Sequence, residues 1–381
     1  MKKSFLAAGM TLAALTMTLS ACAAAPGTGA TSSAPVPAAS SASSSSEAPA
    51  PATSNAAADF KACMVSDQGG FDDKSFNQTS YQGLLNAVKN LGVSEAHVQS
   101  TSAEQYATNV DSMVQAKCNI IIGVGFNLSD AIVAAAKANP NIEFAVVDDA
   151  PQGAPANVKP LVFNTNEAAF LAGYLAAGMT KSGTVGTYGG APYPSVTIFM
   201  DGFAEGVAQH NKDKGSSVKV LGWDPAAPDK GAFVQSNQPF VDAAAGKQSA
   251  QNLVSQGADV LFPVAGNAGT GALQVAQASN GKITAIWVDT DGCVSASEYC
   301  NVLMTSVYKA MDVAVEQAIK DALNNQFSSA PYVGTLANKG VGIAPYHDFD
   351  ATIPADLKAE IAALSDKIAA GTLKVPSAGA H

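Results

Sequence analysis

Two kinds of hydrophobic pattern alternate along residues 60–150. Short apolar runs, ACMVS, HVQSTS, NIIIGVG and EFAVVDD, have the length and β-branched content of strands. Between them, over 76–91, 104–116 and 130–138, apolar residues recur every three or four positions, as on one face of a helix. A second series follows with TVGTYGG, VKVLGWD, ADVLFPVAG and ITAIWVDTD, separated by helical patterns over 195–210, 241–256 and 271–279. Strand, helix, strand repeated in this way gives a parallel sheet with helices on both faces. The expectation is an α/β chain with two similar doubly wound lobes.

In such sheets ligands bind beyond the carboxyl ends of the strands, and there the polar residues gather. Asp67, Gly125 and Phe126, Asp148 and Asp149, Gly189 and Gly190, Phe262 to Asn267, and Asp289 with Asp291 all terminate expected strands. Two lobes with facing strand ends enclose a cleft, a common place for small-molecule sites. The loop from Ser66 joins the first strand to its helix. Gly69 and Gly70 permit positive φ, Ser75 or Asp73 offers a cap, and Phe76 opens the helix facing the cleft.

The flanks carry a different signal. Residues 1–21 read as a basic start, an apolar run over 5–19 and small residues before Cys22, the pattern of a signal peptide ending in a lipid-acceptor cysteine. A run of fifteen residues is short for a membrane span. Residues 22–58 are almost wholly Ala, Ser, Pro, Thr and Gly, so they are expected to form a disordered linker from the lipid anchor, reaching roughly 30–35 Å. The expected location is the extracytoplasmic face of the cell membrane, held there only by lipid.

Without the leader the chain has 19 bases against 31 acids, a net charge of −12, which disfavours nucleic acid and anionic lipid as partners. Every base is lysine. Planar bidentate recognition of carboxylate or phosphate favours arginine, so a neutral polar ligand is the more natural one. Besides Cys22 there are Cys63, Cys118, Cys293 and Cys300, an even number suited to an oxidising location. Of the three connectivities, 63–118 with 293–300 is favoured because the first and third strands of a doubly wound lobe are neighbours. No dinucleotide or nucleophilic-triad motif stands out, and no cofactor is expected, although Asp148-Asp149 and Asp289-Thr-Asp291-Gly292 could hold a hard cation through their carboxylates.

The stretch VSDQGGFDDKSFNQTSYQGL resembles the signature loop of the basic membrane protein family, the purine nucleoside receptor lipoproteins. GVGFNLSDA, EFAVVD, NEAAFLAGYLAAGMTKSGTVGTYGG, GADVLFPVAGNAGTGAL, IWVDTDG and VLMTSVYKAMDVAVEQAI resemble family blocks in the same order, with Asn267 standing where a second glycine is usual. The resemblance implies a type I periplasmic-binding fold with three hinge crossings, lobe I spanning 59–165 plus 305–328 and lobe II 166–304 plus 329–379. It implies a non-enzymatic, monomeric substrate-binding lipoprotein that delivers a nucleoside to ABC permease subunits. By matched position Phe76 would stack on the base, with Phe126 beside it and Phe262 on the opposite face. Asp67, Asn77 and Asp148 would bond polar ligand atoms, Asp289 the ribose hydroxyls, Gly266 would supply backbone and Lys309 a further donor. The competing readings are a metal-dependent nucleoside hydrolase using the aspartates and a surface lipoprotein for another small polar ligand.

The anchor is tested directly: Cys22→Ala should yield unacylated protein that leaves the membrane fraction. Retention equal to wild type would overturn the assignment.

Overall fold

The computed structural model describes residues 56–381; the leader, Cys22 and most of the linker lie outside the described residues. Residues 56–58, drawn above as linker, belong to a one-turn helix, Ala56–Asp59, that precedes the first strand.

The strands in chain order are β1 (Lys61–Ser66), β2 (Ser94–Gln99), β3 (Ile120–Val124), β4 (Glu143–Val147), β5 (Val158–Phe163) and β6 (Thr184–Gly189). Then follow β7 (Lys219–Leu221), β8 (Val260–Val264), β9 (Thr284–Asp289), β10 (Leu303–Lys309), β11 (Tyr332–Gly334) and β12 (Val341–Ile343). They form two six-stranded sheets of parallel topology, β11-β5-β4-β3-β1-β2 and β12-β10-β9-β8-β6-β7. Among the described residues the one antiparallel pair is β10 with β12. Helices cover both faces, which is why β3 and β8 are buried at all five positions and read as continuous apolar runs.

The chain passes between the lobes three times: at Asn164, at Ala310, and between β11 and β12. These crossings move the boundaries drawn from the sequence. Residues 305–309 belong to the second lobe, because β10 pairs with β9 throughout. Residues 332–334, expected in the second lobe, belong to the first, because β11 pairs with β5.

At the first crossing, the helix Thr165–Met179 is buried at twelve of fifteen positions, lying against the helix Pro194–Lys214. Glycine makes that contact possible: a Cβ at Gly173 would fall 2.0 Å from the Phe203 carbonyl oxygen, and one at Gly206 equally close to that of Phe170. No helix among the described residues is long and apolar enough to cross a membrane.

Two disulfides are formed, Cys63–Cys118 with Cα atoms 5.9 Å apart and Cys293–Cys300 at 4.6 Å. The first ties β1 to the approach of β3 and spans 55 residues. Closing a loop of that length restricts the unfolded chain by about 4 kcal/mol in the chain-entropy account. Cys63→Ala with Cys118→Ala should therefore lower unfolding free energy by about 2–4 kcal/mol in denaturant titration; a change below about 0.5 kcal/mol would show that the bridge contributes nothing.

A candidate ligand site between the lobes

The loop after β1 is organised by one carboxylate. Asp73 is 5% exposed and accepts from three backbone amides, those of Ser75 (3.0 Å), Asn77 (2.9 Å) and Gln78 (3.0 Å). It thus caps the helix Phe76–Leu91, whereas the N-cap residue Ser75 turns its hydroxyl to Asp289 Oδ2 at 2.6 Å. Capping by Asp73 presents Phe76 and Asn77 on the first turn toward the cavity.

Above this turn Asp67 Oδ1 accepts from Asn77 Nδ2 at 3.0 Å, which leaves Asn77 Oδ1 buried without a partner among the described residues. Gly125, at φ 113°, makes room for Asp67: a Cβ there would lie 2.3 Å from Asp67 Oδ2. Burial pushes the Asp67 carboxyl up to about 7, against the Asn77 hydrogen bond and with help from Asp73 and Asp148. Burial likewise raises Asp73 to about 6, its three amide bonds pulling the other way.

The floor is an ion triad across the lobes. Lys309 Nζ, at the end of β10, lies 2.5 Å from Asp148 Oδ2 in the first lobe and 3.1 Å from Asp289 Oδ1 in the second. Lys309 is 3% exposed, and the two carboxylates outweigh its burial and hold the ammonium charged. Both aspartates occupy left-handed backbone, φ 66° and 69°, an uncommon conformation for a residue with a Cβ. The ammonium also sits 4.5 Å from the centroid of the Phe76 ring and 5.3 Å from that of Phe199.

Aromatic rings form the walls. Phe126 of the first lobe stacks on Tyr193 of the second, with centroids 5.1 Å apart and planes at 22°, and Tyr193 stacks in turn on Phe240 at 5.9 Å. The cavity between these walls measures about 70 Å³. Small-molecule pockets run to about 300–1,000 Å³, so a ligand larger than a few atoms requires the lobes to part.

Of the residues singled out in the sequence, Asp67, Phe76, Asn77, Phe126, Asp148, Gly266, Asp289 and Lys309 all line this cavity. Phe262 does not. It lies inside β8, two residues before the strand's end, fully buried with its ring on Phe203 at 5.0 Å, so it faces the same layer as Val264 but too deep to reach the cavity. Val264, at the strand's end, reaches the cavity instead. Tyr193, Phe199, Phe240 and Asp73 were not singled out as lining residues. Tyr193 had a readable signal, since its loop follows the strand-end pair Gly189-Gly190. Phe240 had none, being twenty residues short of β8.

The aspartates proposed as metal donors have other partners. Asp148 and Asp289 converge on Lys309, Asp149 accepts from the Ser129 hydroxyl, and Asp291 caps Cys293 N and faces His347 Nε2.

Two α/β lobes joined by three crossings around a cleft lined with aromatic and acidic side chains define the class of hinged solute-binding proteins. Residues 60–378 match the Bmp family, described as ABC transporter substrate-binding protein PnrA-like, and the chain belongs to it. It is similar to the ABC transporter nucleoside-binding protein BmpA of Lactococcus lactis, 32% identical over 84% of this chain and 90% of that one. It is also similar to the CD4+ T-cell-stimulating antigen of Listeria monocytogenes, 32% identical over 84% and 89% of the two chains. A solved ABC-transporter solute-binding protein from Aeropyrum pernix superposes with a TM-score of 0.72 at 23% identity, covering 84% of this chain and 94% of that one. The family consists of substrate-binding proteins of ABC transporters, not enzymes, with extracytoplasmic members that imply a small-molecule ligand and permease partners.

The raised carboxyls set a pH dependence. The unfolded Asp67 releases its proton near 3.8 while the folded one keeps it to about 7, so stability from this group is full at low pH and lost as pH rises through 7. The melting temperature of the ligand-free protein should fall between roughly pH 4 and pH 7, and Asp67→Asn should flatten the fall. An unchanged slope in that variant would exclude Asp67 as its source.

Proposed function

We propose that the protein captures a neutral nucleoside between its lobes and hands it to an ABC permease, while the lipid on Cys22 and the linker keep it at the outer face of the membrane. The observation that carries this reading is the alternation of flat aromatic walls with buried acceptors in one cavity. Phe76, Phe126 and Tyr193 line the cavity; parting the lobes would free the facing rings of Phe126 and Tyr193, now stacked on each other, for a base, whose stacking on an aromatic contributes about 1–3 kcal/mol. Asn77 Oδ1 lacks a donor, and Asp148 bonds Lys309 through only one of its oxygens. These acceptors suit the hydroxyl and amino hydrogens of a nucleoside. Asp289 is the less available one, since Lys309 and Ser75 already occupy both its oxygens.

Charge supports a ligand without phosphate. Asp67, Asp73, Asp148 and Asp289 line the cavity against the single cation Lys309. The nucleoside-binding name of the Lactococcus relative points the same way. Opening and closing at the three crossings would admit a ligand too large for the cavity in its closed form.

Calorimetric titration against a nucleoside panel tests the reading, and Phe76→Ala tests its mechanism. The variant should weaken binding roughly 5- to 150-fold, with the melting of the ligand-free protein little changed and Phe76→Tyr retaining more affinity. Absence of binding by the wild type to every nucleoside would overturn the function. A Phe76→Ala protein of unchanged affinity but much lower stability would make this ring core rather than ligand wall.

A further inference from the structure

One lobe-to-lobe contact lies outside the cavity. Lys74, just before the capped helix, has φ 61°, and its carbonyl oxygen accepts two hydrogen bonds from the second lobe. One comes from Trp287 Nε1 at 3.1 Å and the other from Ser295 Oγ at 2.8 Å. Its ammonium pairs with Glu298. That pair is half exposed and stabilises little, so the carbonyl bonds carry the contact. Trp287 itself is fully buried, and this carbonyl is the partner of its indole N–H.

Ser295 and Glu298 both sit on the segment closed by Cys293–Cys300. That ring spans only seven positions, and the segment is fastened to its own lobe by Gly292 N to Ser306 Oγ at 2.9 Å and by Gln277 Nε2 to the Glu298 carbonyl at 3.0 Å. A short cross-linked ring holds the serine hydroxyl in place before the lobes meet, so little ordering remains to be done on closure.

We propose that the segment 293–300 is a receptacle for Lys74, and that this contact sets how long the closed lobes retain the ligand. Lys74 and Ser295 are positioning residues here: neither lines the cavity, and they act on the ligand only through closure. The retention part of the inference rests on the cavity being the ligand site.

The test uses the mature protein labelled with 5-fluorotryptophan, in which the only two tryptophans are Trp223 and Trp287. Fluorine NMR then reports on the Trp287 contact without any ligand, and stopped-flow release of guanosine reports on retention. Ser295→Ala should shift the Trp287 resonance in the ligand-free protein and speed guanosine release about 2- to 10-fold, leaving association and ligand-free melting near wild type. Cys293→Ser with Cys300→Ser should act in the same direction. If the Trp287 resonance of both variants superposes on that of wild type, the receptacle is overturned. If neither guanosine nor any other nucleoside binds wild type but the resonance still shifts, the receptacle stands and the nucleoside reading fails. A merely structural role for the ring would lower melting and leave both the resonance and the release rate unmoved, which also overturns the proposal.

Discussion

The buried ammonium of Lys309 is the constraint around which the cleft is arranged. Removing a lysine charge from water is expensive, and here it is balanced by Asp148 from one lobe and Asp289 from the other. Because the two carboxylates come from different lobes, the triad is complete only when the lobes are together. Parting them returns one carboxylate to water and leaves the ammonium with the aspartate of its own lobe. Both aspartates are held in left-handed backbone, a conformation that persists only where the surrounding structure imposes it. The ammonium also lies over Phe76, which couples the polar floor to an aromatic wall.

The two lobes contribute by the same rule. In the first sheet the loops after β1, β3 and β4 supply Asp67 to Asn77, Phe126, and Asp148. In the second, the corresponding strands β6, β8 and β9 are followed by Tyr193, Gly266, and Asp289. Asp148 and Asp289 follow or end the third strand of their sheets and share a backbone conformation. Phe126 and Tyr193 meet face to face across the cleft. Parallel strands make such equivalence natural, since the parallel strands of a lobe all point their carboxyl ends at the other lobe.

This regularity is why much of the site was legible in the sequence. A polar or aromatic residue directly after an apolar run lies at a strand end, and that rule located Asp67, Phe126, Asp148 and Asp289. It failed for Phe262, where the strand continues two residues further to Val264 and the ring turns into the core. It was silent on Phe240, which reaches the cavity from a long connection. The helix Thr165–Met179 gave no amphipathic signal because it is buried almost all round. The lobe boundaries at 305 and 329 missed because a crossing leaves no mark in hydrophobic pattern: β10 and β11 read as ordinary strands whichever sheet receives them.

The absence of arginine acquires a structural meaning in this setting. Among the described residues Lys309 is the only basic side chain lining the cavity, and its charge is already shared by two carboxylates. A phosphate or carboxylate entering there would find no unpaired cation and would face Asp67 and Asp73 as well. Even with those two partly protonated near neutral pH, as their raised values require, the lining carries no surplus positive charge. Like-charge juxtaposition is an effective way to reject a wrong ligand, because it penalises the competitor without weakening the contacts made to the right one. On the nucleoside reading, the carboxylates therefore have two roles. They accept hydrogen bonds from a neutral ligand, and they repel its phosphorylated forms, which offer the same base to the same aromatic rings.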